Sequence, residues 1–210
     1  MAKGILLVAF DYTRAQAEEF NDWYDLEHIP ERQRVPGFGA CERWVSVANP
    51  KHVVASYELD SLDVLQSAAY KAIAYENLSV WSKRIGKIAQ RLLRHDGTQI
   101  LPGDQAAPAG VGGLLVNAMN VDPVHEDEFN EWYDHEHIPA LAKVPGVLCA
   151  RRFKDVKGTH RYLALYHLGS ADVPEGSAWK TAANSPWTDR LRPHFKDHLR
   201  ILSRRYVRGS

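Results

Sequence analysis

Two short spans, Tyr24 to His28 and Tyr133 to His137, each place a phenol and an imidazole one helical turn apart. Histidine is the usual proton donor and acceptor near neutral pH, and a tyrosine hydroxyl can hydrogen-bond a developing oxyanion. Asp25 and Glu27 lie between the first pair, and Asp134 and Glu136 between the second. Either carboxylate could orient the imidazole through its second ring nitrogen. Asn21, Asn130, Trp23 and Trp132 complete the polar and aromatic set. Arg43 and Arg152 follow on the next predicted strand, where they could receive a substrate carboxylate or form a surface ion pair. The chemistry this set suits is proton transfer on a small molecule without a cofactor. The bland alternative is a core histidine, favoured at a helix C-terminus by the dipole.

These side chains need a helix to present them and a sheet to face. Ala15–His28 and His125–His137 hold good helix formers with no interior Gly or Pro. On a helical wheel Phe20, Tyr24 and His28 share one stripe, as do Phe129, Tyr133 and His137, and the bulky aromatics should turn that stripe toward the sheet. Pro30 and Pro139 disfavour helix at the residue before them, so each helix should end near its histidine. Val-Pro-Gly then turns the chain. Short apolar or alternating strands are expected at Gly4–Phe10, Gly39–Val47, Val53–Leu59 and Ile88–Arg94. Their second set is Gly113–Asn120, Leu148–Val156, Tyr162–Leu168 and Leu199–Val207. Ser61 and Ser170 suit the N-cap of a second helix.

The two sets are copies. A shift of 109 residues aligns the halves without a gap from Gly4 to about Lys71, and 13 of the 19 positions in Glu19–Gly37 match Glu128–Gly146. Beyond Lys71 the second copy is about three residues shorter, and Trp81 and Arg84 realign with Trp187 and Arg190. The stretch His95–Gly112 is rich in Gly, Pro and Ala without hydrophobic period, which is linker composition. The expected division is residues 1–95, a linker 96–111 and residues 112–208. Each copy has the order βαββαβ, the ferredoxin-like arrangement, whose sheet has one face bare of helices. An α+β protein of two tandem ferredoxin-like units is therefore expected, the bare faces stacking or closing into an intramolecular α/β barrel, a pseudo-dimer that could itself dimerise.

Other functions are disfavoured. Twenty-six basic residues balance 26 acidic ones, so nothing advertises nucleic acid. No apolar stretch approaches membrane-spanning length, and two cysteines make no disulfide framework, so a cytoplasmic setting is expected. His135-Glu136-His137 invites a metal reading, but His135 falls on the outward side and copy one has Leu26 there. No metal is expected. Gly110-Val111-Gly112-Gly113 precedes a strand, so it is no dinucleotide fingerprint.

The segments Trp23–Pro30 with Val35-Pro36-Gly37, and Trp132–Pro139 with Val144-Pro145-Gly146, resemble the EthD-like group of the dimeric α/β-barrel superfamily. The resemblance implies units that pair into a barrel, with a pocket between helices and sheet in each. The superfamily includes isomerases, cyclases, dehydratases, cofactor-free monooxygenases and haem-binding proteins, so it implies fold more narrowly than reaction. The leading expectation is a cofactor-independent lyase, isomerase or decarboxylase-like enzyme acting on an aromatic, lactone or other carbonyl-bearing catabolite. His28 and His137 would exchange the proton. A non-catalytic ligand-binding or structural barrel is the alternative, and a haem-binding or oxygen-using barrel the minor one.

Overall fold

The computed structural model describes residues 2–209. Eight strands form one closed antiparallel barrel: β1 (Gly4–Asp11), β2 (Phe38–Ser46), β3 (His52–Leu59), β4 (Gln90–Leu101), β5 (Gly113–Val121), β6 (Val147–Lys154), β7 (Tyr162–Leu168) and β8 (Phe195–Arg205). Around the barrel they run β1-β3-β2-β8-β5-β7-β6-β4. Each copy thus keeps the ferredoxin-like order, and two seams join the copies. β4 pairs with β6 from Thr98↔Lys154 to Leu101↔Arg152, and β2 with β8 from Trp44↔Arg205 to Ser46↔Ser203. Closure leaves no unpaired sheet edge, the feature that makes open sheets prone to mispairing.

Strand alternation sorts the core into three layers. On β1, Ile5, Leu7 and Ala9 point into the barrel, with Leu114, Val116 and Ala118 of β5 and Trp44, Phe153 and Leu165. Leu6 and Val8 point outward, against the helices of the first copy. Leu115 and Met119 do the same in the second. Each long helix, residues 17–33 and 126–142, therefore packs on the barrel's outer surface. Shorter helices, Val80–Ile88 and Pro186–Leu191, lie beside them.

Two boundaries differ from expectation. β4 runs on to Leu101, so residues 96–101, expected in the linker, are strand. Polar partners replace apolar packing there: Gln99 is buried on the backbone of Gly103 and Gln105, and Asp96 pairs with Arg94. Ser61 stands at the N-cap position of a short 3-10 turn, Leu62–Gln66, without a side-chain cap bond, and Ser170 accepts from the Asp172 N–H just before another. The side chains that do cap the second helices are Ser79 and Ser185, which accept from the backbone N–H of Ser82 and Thr188.

One charged side chain is sealed among the barrel residues. Arg151, fully buried, donates to both carboxylate oxygens of Glu58, at 2.8 and 2.7 Å, to the Gln105 carbonyl at 3.1 Å, and to His167 Nε2 at 3.3 Å. It thereby ties the first copy, the connector and the second copy together. Removing one partner of a buried pair strands the other, at a cost of about 3–5 kcal/mol. Arg151→Ala should lower the unfolding free energy by about that amount in urea, and Arg151→Met with Glu58→Leu should recover most of it. A loss under about 1 kcal/mol for the single change would contradict this account.

Candidate functional site

The long helices do not end at the histidines. In the first copy, α-helix at Ala17–Asp22 passes into a π-helical turn at Trp23–His28 and resumes as α-helix at Ile29–Gln33. The second copy does the same through Glu126–Trp132, Tyr133–His137 and Ile138–Ala142. The wide turn explains how Pro30 and Pro139 are tolerated. A proline ring in an α-helix strikes the carbonyl four residues back. Here Ile29 N–H bonds Tyr24 O, five residues back, and Pro30 then enters at the first positions of the next α segment. The expected helix end is thus corrected, and such π turns concentrate at functional sites.

The π turn also regroups the side chains. Residues five apart now fall on one face, so Trp23 lies against His28, with ring centroids 4.4 Å apart. Tyr24 stands perpendicular to His28 at 5.4 Å, and Tyr57, from β3, approaches it at 6.2 Å. In the second copy Trp132 and Tyr133 sit 4.2 and 5.3 Å from His137. The inward Tyr-x-x-x-His geometry is present in both copies.

Most of the rest of the motif braces the scaffold. Arg43 donates to Asp25 at 2.7 Å and to Asn21 at 2.6 Å, and its guanidinium lies between the rings of Tyr24 and Tyr206. Arg152 repeats this with Asp134 and Asn130, over the ring of Tyr133. Glu27 accepts from Ser79 and Ser82, and Glu136 from Ser185, so these glutamates pin the second helix's N-terminus. Trp23 and Trp132 donate to Ser82 and Thr188 on those same helices. Two expectations are therefore corrected. Asp25, Asp134, Glu27 and Glu136 hold other partners instead of orienting the imidazoles. Arg43 and Arg152 are engaged by their own carboxylates and amides and are not poised for a substrate's.

Buried polar atoms without a partner include members of the motif in both copies, among them His137 Nδ1 and the Tyr166 hydroxyl in the second. His28 Nδ1 and the hydroxyls of Tyr24 and Tyr57 are buried without a hydrogen-bond partner. The two hydroxyls influence each other's ionisation, yet neither has hydrogen-bond geometry to a protein atom. Unsatisfied buried polar groups are rare and call for an explanation. A cavity of about 370 Å³ supplies one: its lining includes Trp23, Tyr24, His28, Tyr57 and Tyr70, with Leu6 and Val8 as the floor. That volume falls in the small-ligand range. His28 keeps some accessible surface only because it faces this space; it is otherwise deeply enclosed. Burial, and then the charges of Arg32, Arg94 and Arg43, push its pKa well below the ordinary value, so the imidazole is neutral. Burial holds Tyr24 and Tyr57 well above theirs, so both remain protonated donors.

Two lining residues lie outside the set chosen from the sequence: Tyr57, on β3, and Arg32, which lay past the expected helix end. With the helix continued, Arg32 falls four residues after His28 on the same face. A larger, more open groove of about 680 Å³ follows the β4–β6 seam and shares Arg91 and Arg94 with the cavity, but holds neither motif histidine.

The second copy is built differently around its histidine. His137 is 9% exposed, and burial with Arg152 nearby lowers its pKa to about 3. Leu141 stands where the first copy has Arg32, and Trp179 where it has Tyr70. Trp179 packs directly on Tyr166, the counterpart of Tyr57, at 5.2 Å. His135 is exposed, and no group of three potential metal ligands lies together among the described residues.

No protein-family model matches the chain, and no curated protein matches it. Solved structures do match in fold. A "putative chlorite dismutase" superposes with a TM-score of 0.67 at 14% identity, covering 100% of this chain and 97% of its own. An anthrone oxidase-like protein gives 0.64 at 13%, covering 97% and 92%. A "putative monooxygenase" from Lactobacillus acidophilus NCFM gives 0.60 at 10%, covering 98% and 94%. At these identities the likeness concerns architecture: two ferredoxin-like repeats closed into a dimeric α/β barrel.

Proposed function

We propose that the first-copy cavity binds a small carbonyl-bearing molecule and that neutral His28 removes a proton from it. The observation that carries this reading is the enclosed trio of His28, Tyr24 and Tyr57, whose polar atoms have no protein partner. The imidazole is already neutral at pH 7 and free to accept a proton, and an anionic or polar ligand that offsets the nearby arginine charges would strengthen it as a base. Two buried hydroxyls on the cavity wall can hydrogen-bond the enolate or phenolate oxygen that forms, where such bonds are worth more than in bulk water. Return of the proton from His28 to another carbon of the enolate gives isomerisation, and expulsion of a β-substituent with its electron pair gives a lyase outcome; in a decarboxylase outcome loss of CO2 itself forms the enolate, and the same hydroxyls would hold it. An enolate or phenolate is also what reacts with dioxygen in a cofactor-free oxygenase, so the neighbours bearing oxidase and monooxygenase names are compatible with the same first step.

Incubating the protein with aromatic ketones and unsaturated lactones in D₂O, and following α-proton exchange by NMR, tests the step directly. Exchange should be accelerated, and Tyr24→Phe should slow it about 10²- to 10³-fold, the scale of one lost oxyanion donor. Exchange indifferent to Tyr24, Tyr57 and His28 would remove the proposal. A Soret band in the purified protein would redirect it to the haem-binding branch of the resemblance.

A further inference from the structure

The cavity beside His28 has a charge bias that the motif does not require. Arg32, Arg91 and Arg94 line it, and no aspartate or glutamate does. Arg32 is 3% exposed. Its one ion pair is sideways, to the adjacent Glu31 at 3.2 Å, and its guanidinium lies 5.7 Å from the Tyr70 ring centroid. Arg94 is engaged by Asp96 at 2.9 Å and by the Tyr70 hydroxyl at 3.3 Å. Arg91 has no ion pair among the described residues. A guanidinium carries five donors, and a buried one is costly unless its charge is met. Arg32 thus brings a cation to the cavity wall with most of its donors uncommitted, beside three aromatic faces and the unpartnered hydroxyls.

The bias belongs to one copy. The bracing pairs Arg43–Asp25 and Arg152–Asp134 occur in both, as expected of folding elements. Arg32 does not: its counterpart is Leu141. The connector that closes the cavity also differs. In the first copy Ala74, Tyr75 and Leu78 contribute to the wall, and Tyr75 takes a left-handed backbone, φ 56°, with its ring edge-on to Tyr70 at 5.9 Å. The second copy is three residues shorter there. A non-glycine residue in that conformation persists where its surroundings hold it.

We infer that the first-copy cavity selects a small planar organic anion, its carboxylate or phenolate oxygen seated on Arg32 and its ring held among Trp23, Tyr57 and Tyr70, and that the second copy does not share this preference. The inference rests on the cavity being the substrate site and names the class of substrate it takes. Arg91 and Arg94, at the opening toward the β4–β6 groove, supply the attractive field on entry.

Calorimetric titration of the intact protein with benzoate and benzamide, which match in shape and differ in charge, provides the test. Benzoate should bind about 10- to 100-fold tighter, the range of one charge-assisted contact, with one site per chain and an affinity that falls with added salt. Arg32→Gln should erase the difference while leaving benzamide unaffected, and Arg32→Lys should keep most of it. A 4-nitrophenolate titration against 4-nitroanisole separates phenolate from carboxylate recognition. Equal binding of benzoate and benzamide by the unaltered protein, or two equivalent sites per chain, overturns the inference without relying on any variant's folding. Selective benzoate binding that survives His28→Ala, with no proton exchange in any substrate tried, would keep the anion site and discard the proton-transfer reading. Exchange confined to neutral ketones would do the reverse.

Discussion

His28→Ala should lower turnover by about 10²- to 10⁴-fold, the range a positioned general base supplies. The same change at His137 should leave turnover nearly untouched. The two residues occupy matching positions on matching π turns, so the contrast comes entirely from what surrounds them. His28 lines the cavity, so its loss removes a group that can reach a bound molecule. His137 is 9% exposed, beside a Tyr166 covered by Trp179, and truncating it costs about 1–3 kcal/mol in stability. Turnover and urea denaturation on the two single variants separate these outcomes. Equal loss of activity from both changes would mean that both copies work. The rate should also lack the inflection near pH 6.5 that an ordinary histidine base gives, because the depressed pKa keeps His28 in its basic form well below that value.

Acid should unfold the protein steeply and early. His28, His95, His137 and His167 are all held neutral by burial, with His95 at about 4 and His137 and His167 at about 3. In the unfolded chain each returns to about 6.5. Below that pH the unfolded state binds protons that the folded state refuses, so stability is full above about 6.5 and falls as pH drops toward the folded values. Four such groups amount to about 5 kcal/mol per pH unit once all four titrate in the unfolded chain. A domain of ordinary stability, about 5–15 kcal/mol, would be largely consumed by pH 4.5. Urea midpoints from pH 7 to 4.5 measure the slope. A proton uptake on unfolding below one per chain at pH 5 would show that these histidines are not buried as described.

Much of the architecture was legible because a repeated sequence states its own period. The 109-residue shift located the motif helices and the first three strands of each copy to within a few residues, whereas β4 runs seven residues past its expected end and β8 starts four residues early; the bare sheet faces required something to cover them. The site was less legible, for identifiable reasons. Pro30 and Pro139 argue for a helix end under α-helical geometry, and a π turn removes the clash on which that argument depends. The error propagated: ending the helix at His28 left Arg32 in a presumed turn, when four residues on it shares the imidazole's face. Retention in both copies was also a mixed signal. It marked Asp25, Glu27 and Arg43, whose partners are Arg43, Ser79 and Asp25 themselves, as strongly as it marked Tyr24 and His28. Arg32, by contrast, could not be found through repetition, because its counterpart is a leucine. Three dimensions add what repetition cannot: Asp25, Glu27 and Arg43 are tied to side chains of other elements, whereas Tyr24, Tyr57 and His28 line a cavity.

The seams that close the barrel carry one more consequence. In a barrel assembled from two identical chains, every substitution is made twice, so an arginine gained in one pocket is imposed on the other, and each half must serve both binding and support. Joining the halves through residues 102–112 ends that obligation. Arg32 and Leu141, Tyr70 and Trp179, can coexist in one molecule, and one half is free to specialise while its twin becomes ballast for the shared wall.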